Sequence, residues 1–369
     1  MAKNSNMIAA KKAKNDEFYT QLPDISAELT HDEYLEAFKN KWIYCNCDNP
    51  EISQFFTFFC LNFVRLGLRG LTCTYLAGTS GSKDPVAYRF DVWGDSNGDG
   101  IIDNDDIIQT KLLGNGSFDS PECLEILEAC DIVVTNPPFS LFRPYFLTLI
   151  NYNKKFAIMA NTNAITNKDV FPLVRDNKIW PGYGFNKTME FMVPEGYKFN
   201  REENGIKYGS VPAIMWLTNI DLNKRHQKLL LYKNYDPEIH QVYDNYCAIN
   251  VNKIVDIPVE SDIELEIADE DLPKWQSVYG SDLTIISQGG GRTVIRVYNP
   301  VLGVPITFLN YQTPEQFSII GLASRHSYTN YKEELKSIGF NPNIDSKGGL
   351  GIGVVEGKVL YDRLLIRRK

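Results

Sequence analysis

No stretch of this 369-residue chain is apolar for the roughly 18 residues that a membrane-spanning helix needs, and its start carries no signal-peptide pattern. A soluble, cytoplasmic protein is expected. Lys3, Lys11, Lys12 and Lys14 stand there among small polar residues, so residues 1–15 are expected to form a mobile basic arm. The seven cysteines are odd in number and lack paired metal-ligand spacing, and Cys45-x-Cys47 is too close for a zinc knuckle. Reduced thiols that mostly fill the core are the expectation. Positive charge is also short: a net charge of −8 argues against coating nucleic acid non-specifically, though not against an enzyme that reads one sequence through a locally basic cleft. Lys224, Arg225, His226 and Lys228 form one basic cluster, and Arg363, Arg367, Arg368 and Lys369 another. A solvated face accounts for either cluster equally well. No internal repeat is present.

What is there organises as two textures. Residues 42–48 pattern as a buried strand, and Asn49-Pro50-Glu51 as a helix start with a capping residue, a first-turn proline and an acid. The helix that follows, through Phe55, Phe58, Phe59, Leu61 and Phe63, is apolar on most sides and ends at Gly67 and Gly70. Strands are predicted over 71–76, 86–92, 107–113, 131–135, 156–160, 189–193 and 213–217, with helices after Ser120-Pro121 and over 170–174. This alternation implies an α/β, doubly wound, mostly parallel sheet. From about Tyr232 the texture shifts to tyrosines, asparagines, acids and breakers such as Gly289-Gly290-Gly291 and Gly348-Gly349, so a second lobe is expected over 233–369.

The most informative stretch is Asp131 to Phe139, an apolar strand running into Asn136-Pro137-Pro138-Phe139. Ligands of open α/β sheets bind at the carboxyl ends of strands. A planar amino group is a poor nucleophile because its lone pair is delocalised. The Asn136 side-chain oxygen and the Pro137 carbonyl can each accept one of its N–H bonds. Two prolines make a stiff loop without competing donors, and Phe139 offers a flat stacking face. The pattern points to methylation of an amino group; read blandly, it is a turn that closes a strand. Ser140 is a candidate cap for the helix through Leu141, Phe142, Tyr145, Phe146 and Leu149.

The first strand-to-helix turn, Asn46-Cys47-Asp48-Asn49-Pro50, lacks the glycines that let backbone approach a ligand. Asn46 and Asp48 are the polar candidates to substitute. Leu113-Gly114-Asn115-Gly116-Ser117-Phe118 suits an adenine ring or, equally, a plain hairpin turn, and Asp16-Glu17-Phe18-Tyr19-Thr20 combines acid, aromatics and hydroxyl in five residues. Asp95-Ser96-Asn97-Gly98-Asp99-Gly100, with Asp103 and Asp106, has the spacing of a calcium loop. Its flanks read as strands instead of helices, so an acidic hairpin tip is preferred and no metal ligand is assigned.

Residues 16–21, 44–56, 131–145, 243–253 (Tyr-Asp-Asn-Tyr-Cys-Ala-Ile-Asn-Val-Asn-Lys) and 303–317 together resemble the EcoRI-type adenine-specific DNA methyltransferases, in the same order and over most of the chain. The resemblance implies a Rossmann-like methyltransferase fold with a C-terminal target-recognition lobe. It implies transfer of methyl from S-adenosylmethionine to the amino group of adenine in double-stranded DNA, by base flipping. Phe18, Tyr19 and Thr20 would touch the methionine part, Asn46 and Asp48 would lie at the donor's sugar and amino-acid end, and Asn136, Pro137, Pro138 and Phe139 would hold the base. Phe191 is a weaker candidate for the base's other face. Ser117 stands before Phe118 where the family tends to place an acid. Rival readings are a methyltransferase for RNA or protein glutamine, and a DNA-binding relative that lost catalysis. A cognate restriction endonuclease is an optional partner.

Overall fold

The computed structural model describes residues 19–52, 54–78, 85–193, 198–324 and 352–369. Phe18, the expected basic arm and Gly348-Gly349 lie outside the described residues. The chain divides into two units: the first comprises residues up to Ala164 with Ile179–Leu222, the second Ile165–Lys178 with residues from Asn223. The inclusion of 165–178 in the second unit has no counterpart in the sequence pattern, which shows one unbroken strand-helix alternation there.

In the first unit, the strands in chain order are β1 (Tyr19–Thr20), β2 (Trp42–Asn46), β3 (Gly70–Thr74), β4 (Tyr88–Val92), β5 (Ile107–Lys111), β6 (Ile132–Thr135), β7 (Lys155–Asn161), β8 (Trp180–Pro181), β9 (Lys187–Met192), β10 (Arg201–Glu203) and β11 (Ile206–Thr218). They form one sheet ordered β1-β9-β11-β7-β6-β2-β3-β4-β5, with β8 and β10 also on β11. Only its heart, β3-β2-β6-β7, is parallel; β4 and β5 on one side and β11, β9, β1, β8 and β10 on the other pair antiparallel. The sheet is therefore mixed and not mostly parallel as the alternation implied, because flanking strands such as β4-β5 and β10-β11 are added by hairpin-like connections without crossover helices. Strand order reverses between β2 and β6, so the crevice outside their carboxyl ends is where such a sheet takes its ligand.

The helices are α1 (Leu22–Leu29), α2 (Asp32–Phe38), α3 (Gln54–Leu66), α4 (Pro121–Ala129) and α5 (Phe142–Asn151). Two boundaries differ from the sequence reading. Asn49 does not cap a helix: its side-chain oxygen accepts from the Glu51 N–H at 3.0 Å and its carbonyl from the Ile52 N–H at 3.1 Å, a local turn that delays α3 to Gln54. Ser140 does not cap α5 either, because the Pro138 carbonyl accepts from Leu141 and winds Phe139–Leu141 into a 3₁₀ turn first. Helix α3 buries Phe55, Phe56, Phe58, Phe59, Phe63 and Leu66 but exposes Leu61 and Val64, so it has an outward face the residue count did not suggest. Phe191 is fully buried and belongs to the core.

Beneath this core lies a buried carboxylate, Glu28, which accepts from the Tyr34 hydroxyl at 2.9 Å and from the N–H groups of Tyr183 and Gly184 at 2.8 and 2.6 Å. A buried charge so supplied with donors is tolerable. Gly182 and Gly184 let the chain come this close, since a Cβ on Gly182 would sit 2.1 Å from a Glu28 oxygen.

The second unit contains the short helix α6 (Phe171–Arg175) and the helix α7 (Leu272–Tyr279). Its strands are β12 (Ile249–Asn250), β13 (Asp262–Ala268), β14 (Leu283–Gly289), β15 (Arg292–Tyr298), β16 (Leu302–Pro305), β17 (Phe317–Ala323), β18 (Val354–Val355), β19 (Lys358–Val359) and β20 (Arg363–Arg368). They build a sheet β12-β16-β20-β17, an antiparallel sheet β13-β15-β14 and the pair β18-β19. Among the described residues no helix is long and apolar enough to cross a membrane.

Candidate active site

The site is built from the residues that follow β2 and β6. Cys47 takes φ +79°, the left-handed backbone that glycine usually supplies, so the missing glycine of this turn is replaced by a strained cysteine. The bend returns the chain so that the Asp48 N–H donates to the Thr74 carbonyl at 3.0 Å. Thr135, the last residue of β6, lies between the Asn46 carbonyl at 2.6 Å and an Asp48 carboxylate oxygen at 2.7 Å, a single hydroxyl proton shared by two acceptors. Tyr145 on α5 donates to the Asn46 side-chain oxygen at 2.6 Å, and the Cys73 thiol to the Asp48 carbonyl. Thr135, Asn46 and Asp48 are buried. Together they form a hydrogen-bonded floor that ties the end of β2 to the end of β6.

Above this floor opens a cavity lined by Tyr19, Cys47, Asn49, Tyr75, Leu76, Gly116, Ser117, Phe118, Pro138 and Leu141. Asn46 and Asp48 do not line it; they hold the turn that does. Gly116 is obligatory in the wall, because its φ is +75° and a Cβ would lie 2.0 Å from the Tyr75 carbonyl. Phe118 stands edge-on against Tyr145, centroids 5.1 Å apart. Ser117 donates to the side chain of Asp119, an exposed acid at the same turn. Asn49 is 4% exposed and its Nδ2 has no hydrogen-bond partner among the described residues, although its Oδ1 accepts from the Glu51 N–H. A buried donor left unmade costs about 1–3 kcal/mol, and a ligand acceptor in the cavity would recover it.

The Asn136–Phe139 loop borders this cavity through Pro138. Asn136 is oriented from afar: its Nδ2 donates to the Thr20 hydroxyl at 3.3 Å, and that hydroxyl lies 3.1 Å from the Met159 sulfur. The bond fixes which end of the amide is the donor and turns Oδ1 to the other side. Thr20 and Asn136 are 116 residues apart, and Tyr19 and Thr20 arrive by pairing with Met192 and Phe191 of β9. Pro137 is buried, and Phe139 is half-buried, packed against the core by one side.

The structure therefore brings Tyr19, Thr20, Ser117, Phe118 and the Asn136–Phe139 loop to one end of the sheet and sets Asn46 and Asp48 under it. It adds Asn49, Tyr75, Thr135 and Tyr145, which sequence reasoning did not assign. In the sequence Asn49 is legible only as a helix-capping residue, and the other three as ordinary strand-end or helix residues.

The calcium-like loop lies between β4 and β5, and its carboxylates are spent on their own backbone. Asp95 accepts from the N–H groups of Gly98 and Gly100 at 2.6 Å each, Asp99 from Ile101 at 2.8 Å, and Asp106 from Ser96 at 2.7 Å. Among the described residues no three His, Cys, Asp or Glu side chains are gathered as a metal site. The cysteines form no disulfide, and burial pushes the thiols of Cys60, Cys130 and Cys247 up to about 12. Such thiols stay protonated and inert.

The model of the family described as adenine-specific methyltransferase EcoRI matches residues 6–277 and 268–369. The type II methyltransferase M.EcoRI of Escherichia coli is 38% identical over 380 residues, covering 100% of this chain and 98% of that protein. M.MgeORF184P of Mycoplasma genitalium is 32% identical with 98% of both chains covered, and M.MpnI of Mycoplasma pneumoniae 32% identical with 98% of this chain and 97% of that protein covered. Matched by the family model and by these relatives along its whole length, the chain is a methyltransferase and belongs to the EcoRI-type adenine-specific methyltransferase family.

Proposed function

We propose that the enzyme moves a methyl group from S-adenosylmethionine to the exocyclic amino group of an adenine in duplex DNA, with the base turned out of the stack. The observation that carries this reading is the Asn136–Phe139 loop bordering the cavity at the sheet's switch point, with the Asn136 amide oriented by Thr20. The cavity residues fit a nucleoside-bearing donor: an aromatic wall at Tyr75 and Phe118, a close-packed glycine at 116, and an Asn49 donor that is buried without an acceptor. When bound, the donor supplies an electrophilic methyl on a sulfonium.

The chain's own residues then do three things. The Asn136 side-chain oxygen and the Pro137 carbonyl accept the two N–H bonds of the amino group, which localises the lone pair on nitrogen for attack. Phe139 stacks against the base and excludes water from one face. The saturated floor of Asn46, Asp48, Thr135 and Tyr145 keeps loop and cavity in fixed register, so the rate comes chiefly from positioning. The amino nitrogen held by Asn136 and Pro137 would give up one proton to solvent, the donor leaving as its thioether. Base flipping is needed because a stacked, paired amino group cannot reach the methyl.

The region from about residue 233 onward would read the recognition sequence, in the cytoplasm. A cognate endonuclease would be the partner whose cleavage this methylation blocks. Transfer of labelled methyl to unmethylated duplex DNA, followed by digestion to nucleosides, tests the reading. Label recovered as N6-methyladenine is expected, and label in RNA or protein glutamine alone would overturn it.

A further inference from the structure

We infer that Arg363, with Asn252 and Lys253 beside it, is a preformed site for a backbone phosphate of the duplex; this rests on DNA being the substrate. Arg363 opens β20 and is only 6% exposed. Its Nη2 donates to the Asn252 side-chain oxygen at 3.0 Å and its Nε approaches that of Asn250 at 3.5 Å. Asn250 is itself buried and also accepts from the Tyr243 hydroxyl at 3.0 Å. All these partners are neutral. Among the described residues Arg363 forms no ion pair; the Tyr243 hydroxyl, also neutral, lies against the guanidinium, and no other hydrogen bond of Nη1 is found there. Nor is Nη1 among the buried polar atoms left without a partner, so it faces solvent. Asn252 and Lys253 are exposed at the same point.

Taking a cation out of water costs several kcal/mol, which neutral amide oxygens repay only in part. An anion meeting the open Nη1 would repay the rest, through a charge-assisted bond to a fork held in place beforehand. Other basic groups of this unit have different surroundings, although Arg225 is likewise buried against a neutral amide. Arg368 donates to the carbonyls of Val259 and Glu260, and Arg367 lies over the Tyr279 ring at 5.5 Å with its Nε buried and unbonded among the described residues. Lys224 donates to Asn310, Arg225 to Asn177, and His226 lies against Glu315. Burial raises the Tyr243 hydroxyl's pKa while the Arg363 charge opposes the rise, so the cation is felt inside the cluster.

Two full-length variants test the site. Arg363→Met removes the charge at similar volume; Asn252→Asp supplies the carboxylate that the guanidinium lacks. Both should weaken binding to duplexes with and without the recognition sequence by roughly tenfold, and Arg363→Met should lower the salt-dependence slope by about one. S-adenosylmethionine affinity should stay unchanged. Thermal stability should not fall in Asn252→Asp, because a new ion pair satisfies the buried charge. Wild-type DNA affinity in both variants would overturn the inference. So would a loss confined to duplexes carrying the recognition sequence, which marks a base contact. Loss of stability and of cofactor binding together in both variants would assign Arg363 to the scaffold and overturn it equally. If the wild-type protein itself neither bound nor methylated duplex DNA, the functional reading would fall, and the phosphate site with it.

Discussion

The floor and the wall of the switch-point crevice lie within a few residues of each other, yet their polar groups are used in opposite ways. In the floor, Asn46 and Asp48 meet Thr135, Tyr145 and the ends of three strands, with bonds of 2.6–3.0 Å. In the wall, Asn49 is as deeply buried but presents an amide nitrogen that nothing among the described residues accepts. The difference separates scaffold from receptor: a buried group whose bonds are complete stabilises the fold, whereas one held from one side only is arranged for something else.

The largest effect is expected at the loop above both. Asn136→Ala should lower kcat by about a hundredfold or more, with cofactor and DNA affinities nearly unchanged, since the amide acts on the amino group as it reacts. Single-turnover transfer measures this, and a loss within about tenfold would remove Asn136 from the chemistry. Asp48→Ala should act on the floor, lowering unfolding free energy by about 2 kcal/mol as the Thr135 hydroxyl loses its carboxylate and the turn its tether. Urea denaturation reads it directly. Lost donor affinity at full stability would place Asp48 in the wall instead and break the comparison.

Asn49→Ala should do the reverse, weakening S-adenosylmethionine binding roughly tenfold in calorimetry while stability stays within about 1 kcal/mol, because it deletes a donor that the free protein leaves unsatisfied. Phe139→Ala should reduce the fluorescence enhancement of 2-aminopurine at the target position; an unaltered signal would require another stacking aromatic, and buried Phe191 is not available for it. Smallest of all is Cys47→Gly. Relief of the φ +79° strain should offset the entropy glycine adds to the unfolded chain, leaving stability within about 1 kcal/mol and donor affinity intact.

Much of the first unit was legible because its signals are local. Apolar strands at 42–46 and 132–135, the prolines after Asn136 and the capping proline of α4 act through their own backbone and neighbours. The positions of α3 and α5 were less so, since the Asn49 and Pro138 turns divert the chain before each helix starts. Tyr19, Phe118 and Pro138 line one cavity, but no sequence pattern distinguishes Asn49, which lines it, from Asp48, which does not.

The sequence by itself determined the alternating α/β core, the stiff Asn-Pro-Pro-Phe loop at a strand end and the family resemblance, because periodicity, proline geometry and short motifs taken in order can be read along the chain. Only the tertiary structure decided which polar side chains are spent and which are left open. Thr20 reaches Asn136 across 116 positions through strand pairing, and Arg363 is buried among neutral amides while Arg368, a few residues on, is held by backbone carbonyls. Hydrogen-bond completion depends on which groups the sheet register brings within about 3 Å, and that distance is set by the packing of remote segments, not by any residue's neighbours in the chain.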